Sequence, residues 1–229
     1  MWRAALLALL FAQPAKAEIL SARFAEPTDR YSHGVLGDAI EFGALELTLL
    51  DGRRLKFTLP ESRVFEDLRP RLADINGDGN PEVVVIETSM DQGAQLAIYS
   101  ETGKLAATPF IGRAFRWLAP VGIADFDGDG SIELAYIEKP HLSKILRVWR
   151  LVGAEMRQVA NLSGLTNHKI GQDFISGGIR DCNGRVEMIT VDANWTKVMA
   201  TKLAEGRLVT KSLSPFTGQK SLQAALICG

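Results

Sequence analysis

The chain has 229 residues, of which 46% are hydrophobic and 23% charged, and its formal net charge at pH 7 is −1. A chain of this length can bury one good core or two small ones, and its composition is ordinary for a soluble globular protein. The nearly neutral charge gives no indication of nucleic-acid binding, and after the first residues no stretch is long and apolar enough to predict a membrane span.

The N-terminal residues have the three parts of a secretory signal peptide. Arg3 supplies a positive charge, residues 4–12 form a short apolar run, and residues 15–17 fit a cleavage site with small residues at both ends. An N-terminal helix of the domain is the alternative, but the run lacks a cap. We therefore predict a signal peptide over residues 1–17, a single domain over residues 18–229, and a periplasmic or secreted protein.

The remainder of the chain is internally repetitive. Four segments share a pattern of strand, tight turn and strand, and their turn glycines recur about every 50 residues, at Gly52, Gly103, Gly153 and Gly206. A β-rich run precedes each segment, and a short apolar strand precedes that run. The repeating unit is therefore predicted to consist of strands A, B, C and D, with a loop between A and B.

A repeat of four antiparallel strands predicts an all-β fold, because each sheet can bury its faces only against its neighbours. We predict a small β-propeller of about four four-stranded blades, and a five-bladed ring or an open array resembling a β-sandwich are the alternatives. In the first repeat, strands A and B are predicted at residues 19–24 and 35–42. Residues 221–228 resemble strand A and are predicted to close the ring beside the first blade.

Two A-to-B loops have the same spacing of oxygen-bearing side chains, at positions 1, 3, 5 and 9, with a glycine at position 6. Such a loop can fold over one hard cation, and Ca²⁺ takes six to eight oxygen ligands. We therefore predict two Ca²⁺ sites, in which Asn80 and Ser131 contribute backbone carbonyls. The predicted ligands are Asp74, Asn76, Asp78, Asn80 and Glu82 in one loop, and Asp125, Asp127, Asp129, Ser131 and Glu133 in the other.

An EF-hand is the obvious alternative for these loops. It requires a bidentate Glu at position 12 before a helix, whereas that position is Val85 or Tyr136, each inside a β-rich run. The other alternative is a metal-free turn, because Asp, Asn and Gly all favour turns. Two such loops at the spacing of the repeats are harder to explain in that way.

Residues 72–85 and 123–136 resemble the repeats of the FG-GAP/VCBS family, which occur in integrin-α-like propellers and in many exported bacterial proteins. The resemblance implies a propeller blade whose A-to-B loop holds calcium, with the ten ligand positions named above. It covers most of residues 70–212. A shortened third copy begins at Asp181, where calcium is doubtful, and the first repeat departs from the pattern entirely.

The cysteines Cys182 and Cys228 would lie in an oxidising compartment if the protein is exported. A lone pair of cysteines there usually forms a bridge, so we predict a disulfide, with two buried unpaired cysteines as the alternative. Both are predicted at the ends of strands that could lie side by side.

Two further regions are candidate binding sites. The stretch 28–38 occupies the place of the A-to-B loop in the first repeat and mixes charge with aromatic and imidazole groups; its candidate site residues are Arg30, Tyr31, His33 and Asp38. A loop that merely fills the end of the channel is the alternative. The opposite face, made by B-to-C and D-to-A loops, is a candidate for an anionic or sugar-like ligand, or for an acidic protein, through Arg113, Arg116, His141 and Trp195. Solvated loop charge, diluted by nearby acidic residues, is the alternative.

The sequence predicts no catalytic residue, because the three histidines stand outside any triad-like or metalloprotease motif. We expect an exported calcium-binding propeller that acts as a non-catalytic interaction module, with structural calcium and an unknown protein or glycan partner. A propeller hydrolase or lyase, with its site in the channel or on the basic face, is the alternative. A calcium-dependent adhesion module is a third possibility.

Overall fold

The structure, a computed structural model, describes residues 17–228. The predicted signal peptide, apart from Ala17, lies outside the described residues. Within them the fold is all-β except for one short helix, as the sequence predicts. All strand pairings are antiparallel.

Three consecutive units each contain four antiparallel strands that pair in chain order, which confirms the repeat predicted from the sequence. Unit three is a separate sheet, whereas unit two lies within an eight-stranded sheet and unit four within a five-stranded sheet. The alternating apolar residues and the turn glycines place every C-to-D hairpin as expected. Unit two contains β5 (Arg71–Ala73), β6 (Glu82–Ser89), β7 (Gly93–Ser100) and β8 (Gly103–Ala107); unit three contains β9 (Leu118–Ala124), β10 (Glu133–Glu138), β11 (Ile145–Val152) and β12 (Glu155–Ser163); unit four contains β14 (Gly178–Asp181), β15 (Val186–Asp192), β16 (Lys197–Ala204) and β17 (Arg207–Pro215). Strand β13 (Leu165–Thr166) extends unit four beside β15.

Unit one is different, and here the prediction is wrong in part. It has only three strands, β1 (Ile19–Thr28), β2 (Glu41–Leu49) and β3 (Arg54–Thr58), and β4 (Arg63–Phe65) joins β2 to β6 of unit two. Strand β1 pairs directly with β2, so the predicted strand A lies in the position of strand B. The predicted strand B is mostly irregular, because the chain turns through positive φ at Gly34 and Gly37.

The hydrophobic core consists of layers between successive sheets. One cluster joins units one and two, a second joins units two and three, and a third joins units three and four. Every residue of β6 and β7 is buried, because unit two has a neighbour on both of its faces. Among the described residues, none of these clusters contains strands of both the first and the fourth unit.

The C-terminal segment corrects the sequence-based expectation of a closing strand. Residues Gln219–Leu226 form the helix α1, not a strand. Its buried residues Leu222 and Ala225 stand three apart on one helical stripe, and they pack with Ile189 and Val191 of β15. The helix thus covers the outer face of unit four, so these residues do not add a strand to the first unit.

No helix within residues 17–228 has the length and apolarity of a membrane span.

The disulfide predicted from the sequence is confirmed. Cys182 and Cys228 are bonded, with their Cα atoms 5.6 Å apart. Cys182 follows β14, but Cys228 follows the helix and not a strand. The bridge therefore fastens the end of α1 to the A-to-B loop of unit four.

Candidate functional site

The two predicted metal loops fold in the same way. In the first acidic loop, residues 74–82, Asp74 Oδ1 accepts hydrogen bonds from the backbone N–H groups of Gly77 at 2.8 Å and Asp78 at 3.2 Å, and its Oδ2 accepts one from Gly79 at 2.9 Å. These bonds draw the chain around the carboxylate. Gly79, at φ +87°, makes the reversal that a side-chain-bearing residue would resist.

The second acidic loop, residues 125–133, repeats this arrangement. Asp125 accepts from Gly128 at 2.7 Å, from Asp129 at 3.2 Å and from Gly130 at 2.9 Å, and Gly130 has the same φ of +87° as its counterpart. Two segments with the same spacing have therefore folded into the same loop. The cause is local, since the aspartate at position 1 satisfies the same backbone donors in both.

A buried glutamate at the last position of each loop closes the loop on its core side. Glu82 Oε2 accepts a hydrogen bond from the N–H of Ile75, and Glu133 Oε2 accepts one from the N–H of Phe126, both at 2.9 Å. Ile75 and Phe126 are themselves core residues. Each loop is thereby anchored to the core at its second residue, while its acidic tip remains exposed.

The second loop brings carboxylates together in a metal-like group. Oxygen atoms of Asp125, Asp127 and Glu133 lie within 4.8 Å of one another, the one such group of three among residues 17–228. All of the ligand side chains are oxygen donors, which suits a hard cation such as Ca²⁺. In the first loop, Asn76 Nδ2 donates to Glu82 Oε1 at 2.6 Å. An amide therefore stands there beside the closing carboxylate, and it could offer its own oxygen to an ion.

A basic residue that the sequence interpretation did not single out also reaches the second loop. Arg150 of β11 donates from Nε to Glu133 at 2.6 Å and from Nη1 to Asp129 at 2.8 Å, and its Nη2 lies 3.2 Å from Asp127. Burial opposes its charge, but the hydrogen bonds to Glu133 and Asp129 raise the pKa of Arg150. Only the pairing of β10 with β11 brings it here, so a loop motif could not have revealed it.

The other predicted binding residues lie at the opposite end of the sheets. Strand β10 begins at Glu133 in the second acidic loop and ends at Glu138, just before His141. We call the end that carries residues 31–38, 113–117, 139–142 and 167–173 the histidine end. The two candidate regions, residues 28–38 and the basic loop face, are predicted on opposite faces, but both lie at this end. Strand β1 takes the position of strand B, so the segment after it is a B-to-C connection and not an A-to-B loop.

A small cavity of about 30 Å³ at the histidine end brings together residues that are far apart in the sequence. His33, Arg116 and His141 line it, together with Phe115. Tyr31 stacks on Phe115 at 5.0 Å between ring centroids, and its hydroxyl accepts a hydrogen bond from the Phe115 N–H at 2.7 Å. The structure thus joins the predicted Tyr31 and His33 to the predicted Arg116 and His141.

Two histidines of this end, His33 and His141, each have a buried partner. His33 Nδ1 lies 2.5 Å from Oε1 of Glu66, a fully buried carboxylate whose other oxygen accepts from the Thr88 hydroxyl. His141 Nε2 lies 2.9 Å from His168 Nδ1. Burial and the nearby His168 lower the pKa of His141 to about 4, and burial lowers that of His168 as well, so both rings are neutral at pH 7.

The remaining predicted residues lie outside this cavity. Arg30 donates to the carbonyl of Arg63 at 3.2 Å, and exposed Asp38 accepts from the N–H of Ile40. Trp195 packs against Phe216 and under the Lys169 ammonium, which lies 4.5 Å from its ring. Exposed Arg113 donates its backbone N–H to the carbonyl of Gln92 at 3.0 Å.

A larger cleft of about 930 Å³ opens beside the second acidic loop. It runs between residues 125–128, the loop around Cys182, and β16 and β17. Its basic residue Arg180 is paired with Glu187, and Lys211 is paired with the same carboxylate. The shortened third copy of the loop therefore differs in two ways: its closing Glu187 is paired with Arg180 and Lys211, and Cys182 of the disulfide stands at the position of Ile75 and Phe126.

Comparison with known families covers the acidic loops. Residues 74–136 match the model of the FG-GAP-like repeat, a stretch that begins at the first residue of the first acidic loop and ends within β10. The predicted resemblance is confirmed for these residues as an FG-GAP-like repeat, and its VCBS and exported-bacterial aspects stay predictions. Comparison with curated proteins gives no match for the chain.

Proposed function

We propose that this chain is an exported, calcium-binding protein of propeller-like architecture, with about four blades, that acts as a non-catalytic interaction module. The observation that carries the proposal is the pair of acidic loops, which fold alike within an FG-GAP-like stretch and turn their carboxylates inward. Asp74, Asn76, Asp78, Glu82 and the carbonyl of Asn80 would hold one ion. Their counterparts Asp125, Asp127, Asp129, Glu133 and the carbonyl of Ser131 would hold the other.

Bound Ca²⁺ would neutralise carboxylates that otherwise repel one another at each loop. Extracellular calcium modules commonly have a Kd of about 10⁻⁴ to 10⁻³ M, which suits constant occupancy outside the cell. The disulfide between Cys182 and Cys228 supports an oxidising location, and the sequence pattern of residues 1–17 supports export. Calcium would therefore have a structural role, and the interaction surface lies elsewhere.

The histidine end is the surface that we assign to a protein or glycan partner. Its loops expose three large apolar side chains, which a bound partner would remove from water. Arg113 and Arg116 add basic groups and Phe115 an exposed ring, the residue types that dominate binding energy at interfaces. The exposed apolar residues of these loops are Phe115, Leu142 and Ile170.

Calcium removal tests the first part of this proposal. At free Ca²⁺ about twenty times the Kd, each loop would add about 2 kcal/mol to the free energy of unfolding. Treatment with a chelator should therefore lower the melting temperature, and added Ca²⁺ should restore it. The double variant Asp74→Asn/Asp125→Asn should melt at one temperature with or without Ca²⁺, whereas Asp51→Asn, in an exposed turn, should behave as the wild type. An unchanged melt after chelation, with no metal found by elemental analysis, contradicts the proposal.

A hydrolase or lyase is the second candidate, and one observation favours it. The contact between His33 and buried Glu66 at the cavity resembles a general base held by a carboxylate. Turnover of some member of a panel of ester, phosphoester and glycoside substrates would support this function if His33→Ala abolishes it while circular dichroism shows that the fold is retained. Activity that survives in His33→Ala would exclude this dyad.

A further inference from the structure

All three histidines of the chain lie at the histidine end, and two of them meet through their ring nitrogen atoms. His141 follows β10, and His168 follows β13. Nε2 of His141 lies 2.9 Å from Nδ1 of His168, while the two ring planes are inclined by 51° and so do not stack. Two nitrogen atoms from separate segments of the chain therefore converge on one point.

The hydrogen bond of His168 to the backbone determines which of its nitrogen atoms has a free lone pair. Its Nε2 lies 3.0 Å from the carbonyl oxygen of Gln172, and because a carbonyl only accepts, Nε2 carries the proton. In the neutral ring, Nδ1 is then a lone pair, and it faces His141. The ring is 1% exposed and packs edge-on against Trp117, so its direction is fixed. Metal-binding histidines are held in this way, with the second nitrogen donating to a carbonyl.

The distance between the two nitrogen atoms is close to that in a metal site. Two imidazole nitrogens that bind one tetrahedral Zn²⁺ at about 2.1 Å lie about 3.4 Å apart, so this pair would need to separate by only about 0.5 Å. His141 has room for that movement, because it is half-buried and lines the cavity of about 30 Å³. The cavity has space for about two water molecules, which would complete a four-coordinate site.

The charged groups near the pair favour nitrogen ligation over binding by acids. Arg116 and Lys139 line the same cavity as His141, and Lys144 lies in the same loop. Lys139 is paired with Glu138 at 3.1 Å, whereas Arg116 and Lys144 donate to backbone carbonyls. An ion here would therefore depend on its bonds to imidazole rather than on a negative field. Imidazole suits Zn²⁺, Cu²⁺ and Ni²⁺, whereas the oxygen donors of the acidic loops suit Ca²⁺.

We infer that His141 and His168 form a metal site of a second kind, which binds one ion of the Zn²⁺ class through Nε2 of His141 and Nδ1 of His168. Without the ion, His141 donates from Nε2 to His168. When the ion binds, that proton moves to Nδ1 of the same ring, and His168 keeps its tautomer. The site shares no residue with the acidic loops and is independent of the proposed calcium binding. Its remaining coordination positions open toward the cavity that His141 lines.

Calorimetric titration of the protein with Zn²⁺, in an excess of Ca²⁺ that occupies the acidic loops, tests this inference. The wild type should bind one Zn²⁺ per chain. His141→Gln and His168→Gln should each weaken that binding at least about tenfold, since loss of a supporting group alone commonly costs that much. His33→Gln is the matched control, because it removes the one histidine outside the pair and should leave the affinity unchanged.

The nitrogen-15 resonances of the rings give a second readout, because bound Zn²⁺ should shift those of His141 Nε2 and His168 Nδ1. A lack of Zn²⁺ uptake by the wild type, equal uptake in His141→Gln, or an equal loss in His33→Gln overturns the inference. None of these results bears on calcium binding by the acidic loops. Circular dichroism verifies the fold of each variant, and His141→Ala provides a second substitution at the half-buried member of the pair, should buried His168→Gln fail to fold.

Discussion

At the scale of single residues, the buried acids near the histidine end are the least expected feature of the molecule. Glu41 and Glu66 are almost fully buried, and Asp67 lies beside them with Arg71 as its partner. Burial, reinforced by the negative charges of Glu66, Asp38 and Asp67, raises the pKa of Glu41 to about 9. Glu41 is therefore protonated in the folded protein at neutral pH.

This pKa makes the stability contribution of Glu41 depend on pH. The folded state keeps the proton up to about pH 9, whereas the unfolded chain releases it near 4.5, so Glu41 lowers the free energy of unfolding progressively as the pH rises through that window. Glu41→Gln should match the wild type at pH 4 and be more stable at pH 8 by at least about 1 kcal/mol. Urea unfolding at pH 4, 6 and 8 measures the difference.

Glu61→Gln is the matched control for this prediction, because its side chain is 91% exposed and its replacement should change little at any pH. If Glu41→Gln differs from the wild type by the same amount at every pH, the carboxyl group titrates normally and the assignment of its pKa is wrong.

At the scale of secondary-structure elements, the terminal helix covers one face of unit four, as the next sheet covers one face of each of the other units. Units one to three are each covered by the next unit along the chain, and unit four is covered by α1. The helix has only eight residues, too few for stability in isolation. Its structure therefore depends on the burial of Leu222 against β15 and on the disulfide that follows it.

Leu222→Ala tests this dependence. The truncation leaves a cavity between the helix and unit four and should lower the free energy of unfolding by about 2–4 kcal/mol, as measured by chemical denaturation. Gln223→Ala, on the exposed side of the same helix, should change stability by less than about 0.5 kcal/mol. Equal effects of the two substitutions would show that the helix does not pack as described.

At the scale of the whole molecule, one covalent link holds the C-terminal end in place. The disulfide closes a separation of 46 residues that includes all of β15, β16, β17 and α1. A loop of that length restricts the unfolded chain enough to stabilise the folded state by about 4 kcal/mol in the loop-entropy model. The double variant Cys182→Ser/Cys228→Ser should therefore have a free energy of unfolding lower by about that amount, as measured by chemical denaturation.

The single variants give the control for this prediction. Cys182→Ser and Cys228→Ser should each lose about as much stability as the double variant, because either substitution opens the same loop. Wild-type stability in the double variant would mean that the packing of α1 alone fixes the C-terminal end.

The sequence by itself determined the features that depend on local patterns. Strand alternation and turn glycines predicted the C-to-D hairpins, and the spacing of Asp74 to Glu82 and Asp125 to Glu133 predicted two loops of one shape. These predictions hold because the governing interactions join residues a few positions apart. The disulfide was also predictable, because there are only two cysteines to pair.

Only the tertiary structure decided how these local pieces meet. The segment 221–228 contains apolar residues that suit a strand edge or a helical stripe equally well, and the exposed face of unit four selects the helix. Strand pairing places Arg150 at the second acidic loop, and the missing strand of unit one brings His33 to His141. Such contacts depend on which sheet edges and faces remain uncovered, and no spacing along the chain specifies that.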